Sequence, residues 1–77
     1  MKQNVGIDFH RRRSVIVRMD HTGEVLSVLR EDNDPLEITA AVSAAGPNPE
    51  VVVEATYGWY WLVDLLQELG ATVHLAS

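Results

Sequence analysis

The sequence contains no cysteine, which excludes a disulfide framework and a thiolate zinc site and leaves no argument for an oxidising compartment. It has no apolar run approaching the roughly 18 residues of a membrane span, and Met1-Lys2-Gln3-Asn4 lacks the apolar segment of a secretion signal. The expectation is therefore a cytoplasmic protein that makes no use of a membrane. Positive charge is scarce: 6 Lys and Arg stand against 11 Asp and Glu, a formal net charge of -5 with a pI near 4.9. Such a balance argues against a chain that grips nucleic acid through its overall field, because that binding gains affinity from Lys and Arg displacing counterions. Length is short too. The 77 residues make one small domain, 1–77, which buries a smaller share of its surface than a larger domain and is marginally stable.

What is present centres on two apolar stretches, each carrying an acid. Val5, Ile7 and Phe9 alternate with Gly6, Asp8 and His10, the period-2 pattern of a half-buried strand with Asp8 opposite the apolar face. Val51-Val52-Val53 runs straight into Glu54, as expected of a central parallel strand covered on both faces. A carboxylate in such a place costs several kcal/mol unless it is paired, solvated at a cleft or bound to a metal.

The remainder reads as a scaffold. Residues 14–20 and 25–30 are β-branched runs, and Asp20-His21-Thr22-Gly23-Glu24 between them predicts a hairpin with a bulge. Asp34 predicts an N-cap, with Pro35 at the first helical position and Glu37 in capping-box position. The stripe Leu36, Ile38, Ala41, Val42, Ala45 should pack on a sheet, and Gly46-Pro47 ends that helix. Thr56 is placed to cap a second helix over Tyr57–Leu69, with Trp59, Leu62, Leu65, Leu66 and Leu69 facing the core and Gly70 closing it. A last strand starts at Thr72. The order β-β-β-α-β-α-β predicts an α/β fold: a mixed sheet in which the fourth strand lies parallel to and beside the first, bringing Asp8 and Glu54 near the carboxyl ends of neighbours.

Two neighbouring carboxylates repel unless a cation lies between them, and a hard divalent ion held by oxygen donors and water satisfies both. Paired ions of this kind drive phosphodiester cleavage and transfer, which ordinarily needs three or four acids. Asp64 and Glu68 on the second helix and the acids at turns are poor candidates for the rest.

These residues resemble a known family. Gly6-Ile7-Asp8-Phe9-His10, the three-stranded antiparallel meander read over the first thirty or so residues, Val52-Val53-Glu54-Ala55-Thr56 and the Tyr57-Gly58-Trp59 helix look like the amino-terminal part of the DEDD transposases of bacterial insertion sequences. Their relatives include the pilin-gene invertases, and their catalytic domain is RNase H-like, of the type seen in the RuvC resolvase. The resemblance spans essentially the whole chain. It implies that Asp8 and Glu54 are the first two of four catalytic, metal-binding acids for Mg²⁺ or Mn²⁺, that the other two lie on a later helix the sequence does not reach, and that DNA and a guide RNA are partners of the full-length protein. A truncated domain of this kind is expected not to catalyse by itself. His10-Arg11 matches the family's His-Lys loosely, and Tyr57 separates a Thr-Gly pair that many members keep together.

For nucleic-acid contact the candidates are His10, Arg11, Arg12, Arg13, Thr56, Tyr60 and Trp61. Each has a plainer reading: a strand-end histidine, a solvated arginine turn, a helix cap, core aromatics. Two other classes stand beside the transposase reading. Gly6-Ile7-Asp8 followed by a hairpin also resembles the first phosphate loop of sugar kinases and actin-like ATPases, although Phe9-His10-Arg11 is bulky where those loops are small. The third reading is a non-catalytic, self-associating domain: a sheet ending after Ala76 leaves an exposed edge and an uncovered apolar helix face, which predict a homodimer or domain swap.

Overall fold

Alternation at the amino terminus builds strand β1 (Asn4–Phe9), whose Val5, Ile7 and Phe9 are buried while Asp8 is exposed. The structure, a computed structural model, describes residues 3–55 and 58–76. The chain continues through β2 (Arg13–Met19), β3 (Val25–Asp32), α1 (Pro35–Ser43), β4 (Glu50–Glu54), α2 (Tyr60–Glu68) and β5 (Thr72–Ala76). The strands form one sheet in the order β3-β2-β1-β4-β5. The β1/β2 and β2/β3 pairs are antiparallel, and β1/β4 and β4/β5 are parallel. The predicted mixed α/β sheet and its element order are thus present, and among the described residues no helix is long and apolar enough to cross a membrane.

Two antiparallel steps make β3 parallel to β1, so β3-α1-β4 and β4-α2-β5 are both parallel crossovers, and both travel in the same direction across the sheet. With the right hand that such crossovers take, both helices fall on one face. The core is built accordingly: Val5, Ile7, Phe9, Ile16, Val51 and Val53 of the sheet bury against Ile38, Ala41 and Val42 of α1 and Leu62 and Leu66 of α2. The other face carries Gly6, Val15, Val17, Met19, Val28 and Val52, by the alternation and register of the strands. Here the structure corrects the expectation that β4 is covered on both sides, since Val52 is 43% exposed while Val51 and Val53 are fully buried.

The β2–β3 hairpin is held by Asp20. Its Oδ1 accepts from the Thr22 hydroxyl at 2.6 Å, the Thr22 N–H at 2.8 Å and the Glu24 N–H at 3.0 Å. Gly23 takes the positive φ the turn requires, and the register shifts at Arg18/Met19 as a bulge. The Thr22 hydroxyl bond, with the two backbone donors, holds the Asp20 carboxyl below the usual aspartate range. A depressed folded pKa contributes stability above the unfolded pKa, and that contribution is lost as pH falls through the folded value. Asp20→Ala is therefore expected to lower the melting temperature at neutral pH and speed amide exchange at Thr22 and Glu24. The difference from the parent should vanish in strong acid; unchanged exchange would refute the turn's role.

Helix α1 begins as predicted, with Asp34 Oδ1 accepting from the Leu36 N–H at 2.8 Å and Pro35 in the first turn. The capping box does not form. The Asp34 N–H donates to the Asp32 carbonyl at 2.7 Å, and Glu37 instead hydrogen-bonds the Glu31 carboxyl, which pushes its own pKa up. Leu36 is not part of the core stripe: at 81% exposure it projects into solvent from the first turn, whereas Ile38 two residues on is fully buried. Helix α2 starts three residues later than predicted. Gly58 has φ 74 and Trp59 occupies the cap without a side-chain hydrogen bond; the expected cap, Thr56, lies outside the described residues. Leu62 and Leu66 are its buried residues, with Trp59, Leu65 and Leu69 packed at the margin and Gly70 closing the helix at φ 83.

Candidate functional site

The register of the β1/β4 pair sets Asp8 directly beside Glu54. Both residues lie at the carboxyl ends of their strands, and both fall on the face away from the helices because they alternate with Ile7, Phe9 and Val53, which point into the core. Between and below them the face is open: a groove of about 560 Å³ is lined by Gly6, Asp8, Val15, Val17, Met19, Val52 and Glu54. Nothing lies within 4 Å of where a Cβ on Gly6 would stand, so the groove floor is flat beside the carboxylates.

His10 emerges on the same side two residues on, and its Nε2 lies 3.1 Å from Asp8 Oδ2 with both side chains more than half exposed. A second imidazole–carboxylate pair, His74 Nε2 to Glu50 Oε2 at 2.6 Å, sits on the same face at the opposite end of β4. Among the described residues no three of His, Asp and Glu converge as a metal centre. Asp64 and Glu68 ride on α2, so the sheet separates them from Asp8. The donor set is thus two hard carboxylate groups at a solvated cleft, which suits Mg²⁺ held by one or two carboxylates with water and a substrate phosphate completing its shell.

The arginine triplet is divided by the structure. Arg13 belongs to β2, not to a turn, and its Nε pairs with Asp32 Oδ1 at 3.2 Å on β3. Arg11 and Arg12 occupy the turn and are exposed. That turn is strapped. Asn33 donates from Nδ2 to the His10 carbonyl at 2.5 Å and from its backbone N–H to the Arg12 carbonyl at 2.8 Å, while its Oδ1 accepts from the Ser14 hydroxyl at 2.6 Å. Ser14 is 1% exposed, at an inward position of β2. Sequence reasoning missed Asn33. The signal was there in Ser14, since a polar residue at an inward strand position requires a partner.

The aromatics gather on the other side of the same sheet end. Trp61 meets Phe9 edge to face, centroids 5.7 Å apart, and Trp59 stacks on Tyr60 at 4.3 Å. Tyr60 is exposed and Trp61 partly so, as expected of outward residues. Trp61 lines a cleft of about 280 Å³ with Phe9, Arg11, Asn33, Pro35 and Gly58. Because Phe9 points toward the helices, this cleft opens on the helix side. The structure therefore joins Asp8, Glu54 and His10 at one site and places Tyr60 and Trp61 apart from them; Thr56 lies outside the described residues. No model of a known protein family matches this chain, and no curated protein aligns with it at a significant level.

Proposed function

We propose that the chain is the amino-terminal part of an RNase H-like, Mg²⁺-dependent DNA transposase or recombinase domain, with Asp8 and Glu54 as half of its carboxylate set. The observation that carries this reading is the Asp8/Glu54 register: two acids side by side on parallel strands, on a bare face, at the end of the sheet where α/β ligand sites lie. The mixed sheet, with the second acid's strand parallel to and beside the first, is what the reading requires.

In this function Asp8 and Glu54 would hold a divalent ion, which would lower the pKa of a bound water and offset charge on the leaving oxygen. His10 orients Asp8 through the 3.1 Å contact, and Arg11 and Arg12, strapped by Asn33, offer positive charge to the strand being cleaved. The phosphate-loop reading is less well supported, because the His10 N–H that such a loop would offer to phosphate already donates to the Arg13 carbonyl at 3.1 Å.

Two carboxylates alone bind Mg²⁺ weakly, so the 77-residue chain is expected to take up metal without cleaving DNA. Titration with Mn²⁺ followed by NMR should broaden the amides of Asp8 to His10 and of Glu54 and Ala55 first. Asp8→Asn and Glu54→Gln should each remove that selectivity with the fold intact. Broadening that begins elsewhere, or that survives both changes, would sink the metal assignment.

A further inference from the structure

A groove of about 560 Å³ lies on the sheet face that neither helix covers, and its apolar floor of Val15, Val17, Met19 and Val52 continues onto β3 through Val28, 54% exposed. Adjoining apolar side chains left uncovered by either helix mark an interaction surface. The charges that frame it are segregated by strand. Arg30 stands on β3, in the same row as Val15, Asp8 and Glu54 across the sheet, and among the described residues it has no partner. On the other side of the apolar strip stand Asp8 on β1 and Glu54 on β4.

We propose that this face is the interface of a homodimer, in which two copies pack sheet to sheet about a two-fold axis running along the strands between β1 and β2, Arg30 of each copy meeting Glu54 of the other. Such an axis is self-consistent, because an isologous interface must place each patch on its own complement. It lays β1 over β2 and β3 over β4. Row by row, Arg30 then opposes Glu54, Val28 opposes Val52, and Val17 opposes Gly6, where the absence of a side chain receives it. Asp8 opposes Val15 at the rim and keeps His10 as its partner. An axis over β1 itself would set Asp8 on Asp8, which like-charge repulsion disfavours. Aligned sheets pack within about 30° of each other, so the apolar rows near the axis stay matched, and the long Arg30 side chain absorbs the drift at the corner.

The contact is small. Four strands about 4.8 Å apart and about five residues long cover roughly 20 × 17 Å, below the ~800 Å² per partner of a standard interface. The dimer is therefore expected to be weak. It also buries Glu54, so pairing and metal binding compete.

The test is sedimentation of the metal-free 77-residue chain over a concentration series, with Arg30→Glu, Glu54→Arg and the double exchange. Each single change should weaken the dimer at least tenfold, and the double exchange should restore it. Circular dichroism confirms that each variant is folded; Val17→Asp, at the centre of the face and outside the core, serves as a further disrupting variant. A parent that stays monomeric, a dimer indifferent to the single changes, or loss without recovery in the double exchange would each overturn the proposal. Leu75→Lys on the edge strand β5 should leave the dimer intact; loss there would assign association to the sheet edge instead. None of these readouts involves metal or DNA, so the transposase reading can fail while this one stands, and the reverse.

Discussion

Replacing Leu62 by alanine is expected to cost about 2 to 5 kcal/mol, the range for a fully buried leucine whose cavity cannot collapse. Leu62 is 0% exposed and, with Leu66, is all that α2 places deep in the core. A chain of this size has on the order of 4 to 11 kcal/mol of stability in total, so one substitution removes a large part of it. The melting temperature should fall by roughly 10 °C or more. Two structural details sharpen the expectation. Helix α2 has no side-chain cap and spans nine residues, Tyr60–Glu68, so little but burial holds it. Its loss would also release β5, which is covered by α2 and paired with β4 alone. Thermal denaturation of Leu62→Ala beside Tyr60→Ala checks this: the exposed Tyr60 should cost far less, and equal losses would show that α2 is held by something other than its core face.

Asn33→Ala carries the second large effect, about 1 to 3 kcal/mol, because it leaves the buried Ser14 hydroxyl without a partner. It also frees the His10 carbonyl, so the arginine turn should lose its fixed position and amide exchange at Arg11 to Arg13 should rise. The pair provides its own control. Once Asn33 is alanine, Ser14→Ala should recover part of the loss, since it removes the stranded hydroxyl. A double variant no more stable than Asn33→Ala would contradict the network. In the proposed enzyme the same substitution should weaken DNA binding through Arg11 and Arg12 while leaving Mn²⁺ broadening at Asp8 and Glu54 unchanged, which separates positioning of the turn from assembly of the carboxylates.

Much of this architecture is legible in the residues because the informative signals are local. Alternation at residues 4–9, the Asp20 to Glu24 turn, the Asp34-Pro35 start and the glycines at 46 and 70 each fix an element from within a few positions, and the βα crossover rule then places β4 beside β1. What escaped was set by distant partners. Val52 reads like Val51 and Val53, and only the common side taken by both helices leaves it bare. Leu36 fits the helical stripe in spacing, yet it is exposed while Ile38 of the same turn is buried, so the buried stripe begins at Ile38. Gly58 could have marked the late start of α2, since a glycine at positive φ ends a helix more readily than it continues one. Asn33 acts on residues 19 and 23 positions away, and no local pattern encodes that. The carboxylate pair was readable because two strands each carried one acid against an apolar background. The clustering of Tyr60 and Trp61 on the far side of the sheet was not.

The connectivity that makes Asp8 and Glu54 neighbours also orders their assembly in time. The three-stranded meander closes through short loops, whereas β1 meets β4 only after β2, β3 and α1 have been traversed, and contacts of long sequence separation form late because their loop entropy must first be overcome. Two like charges are brought together in that late step, so the refolding rate should be sensitive to whatever neutralises them. A refolding chain would acquire its paired carboxylates among the last features of its tertiary structure, and in the proposed enzyme an ion captured there would act as a latch on a sheet that has just closed.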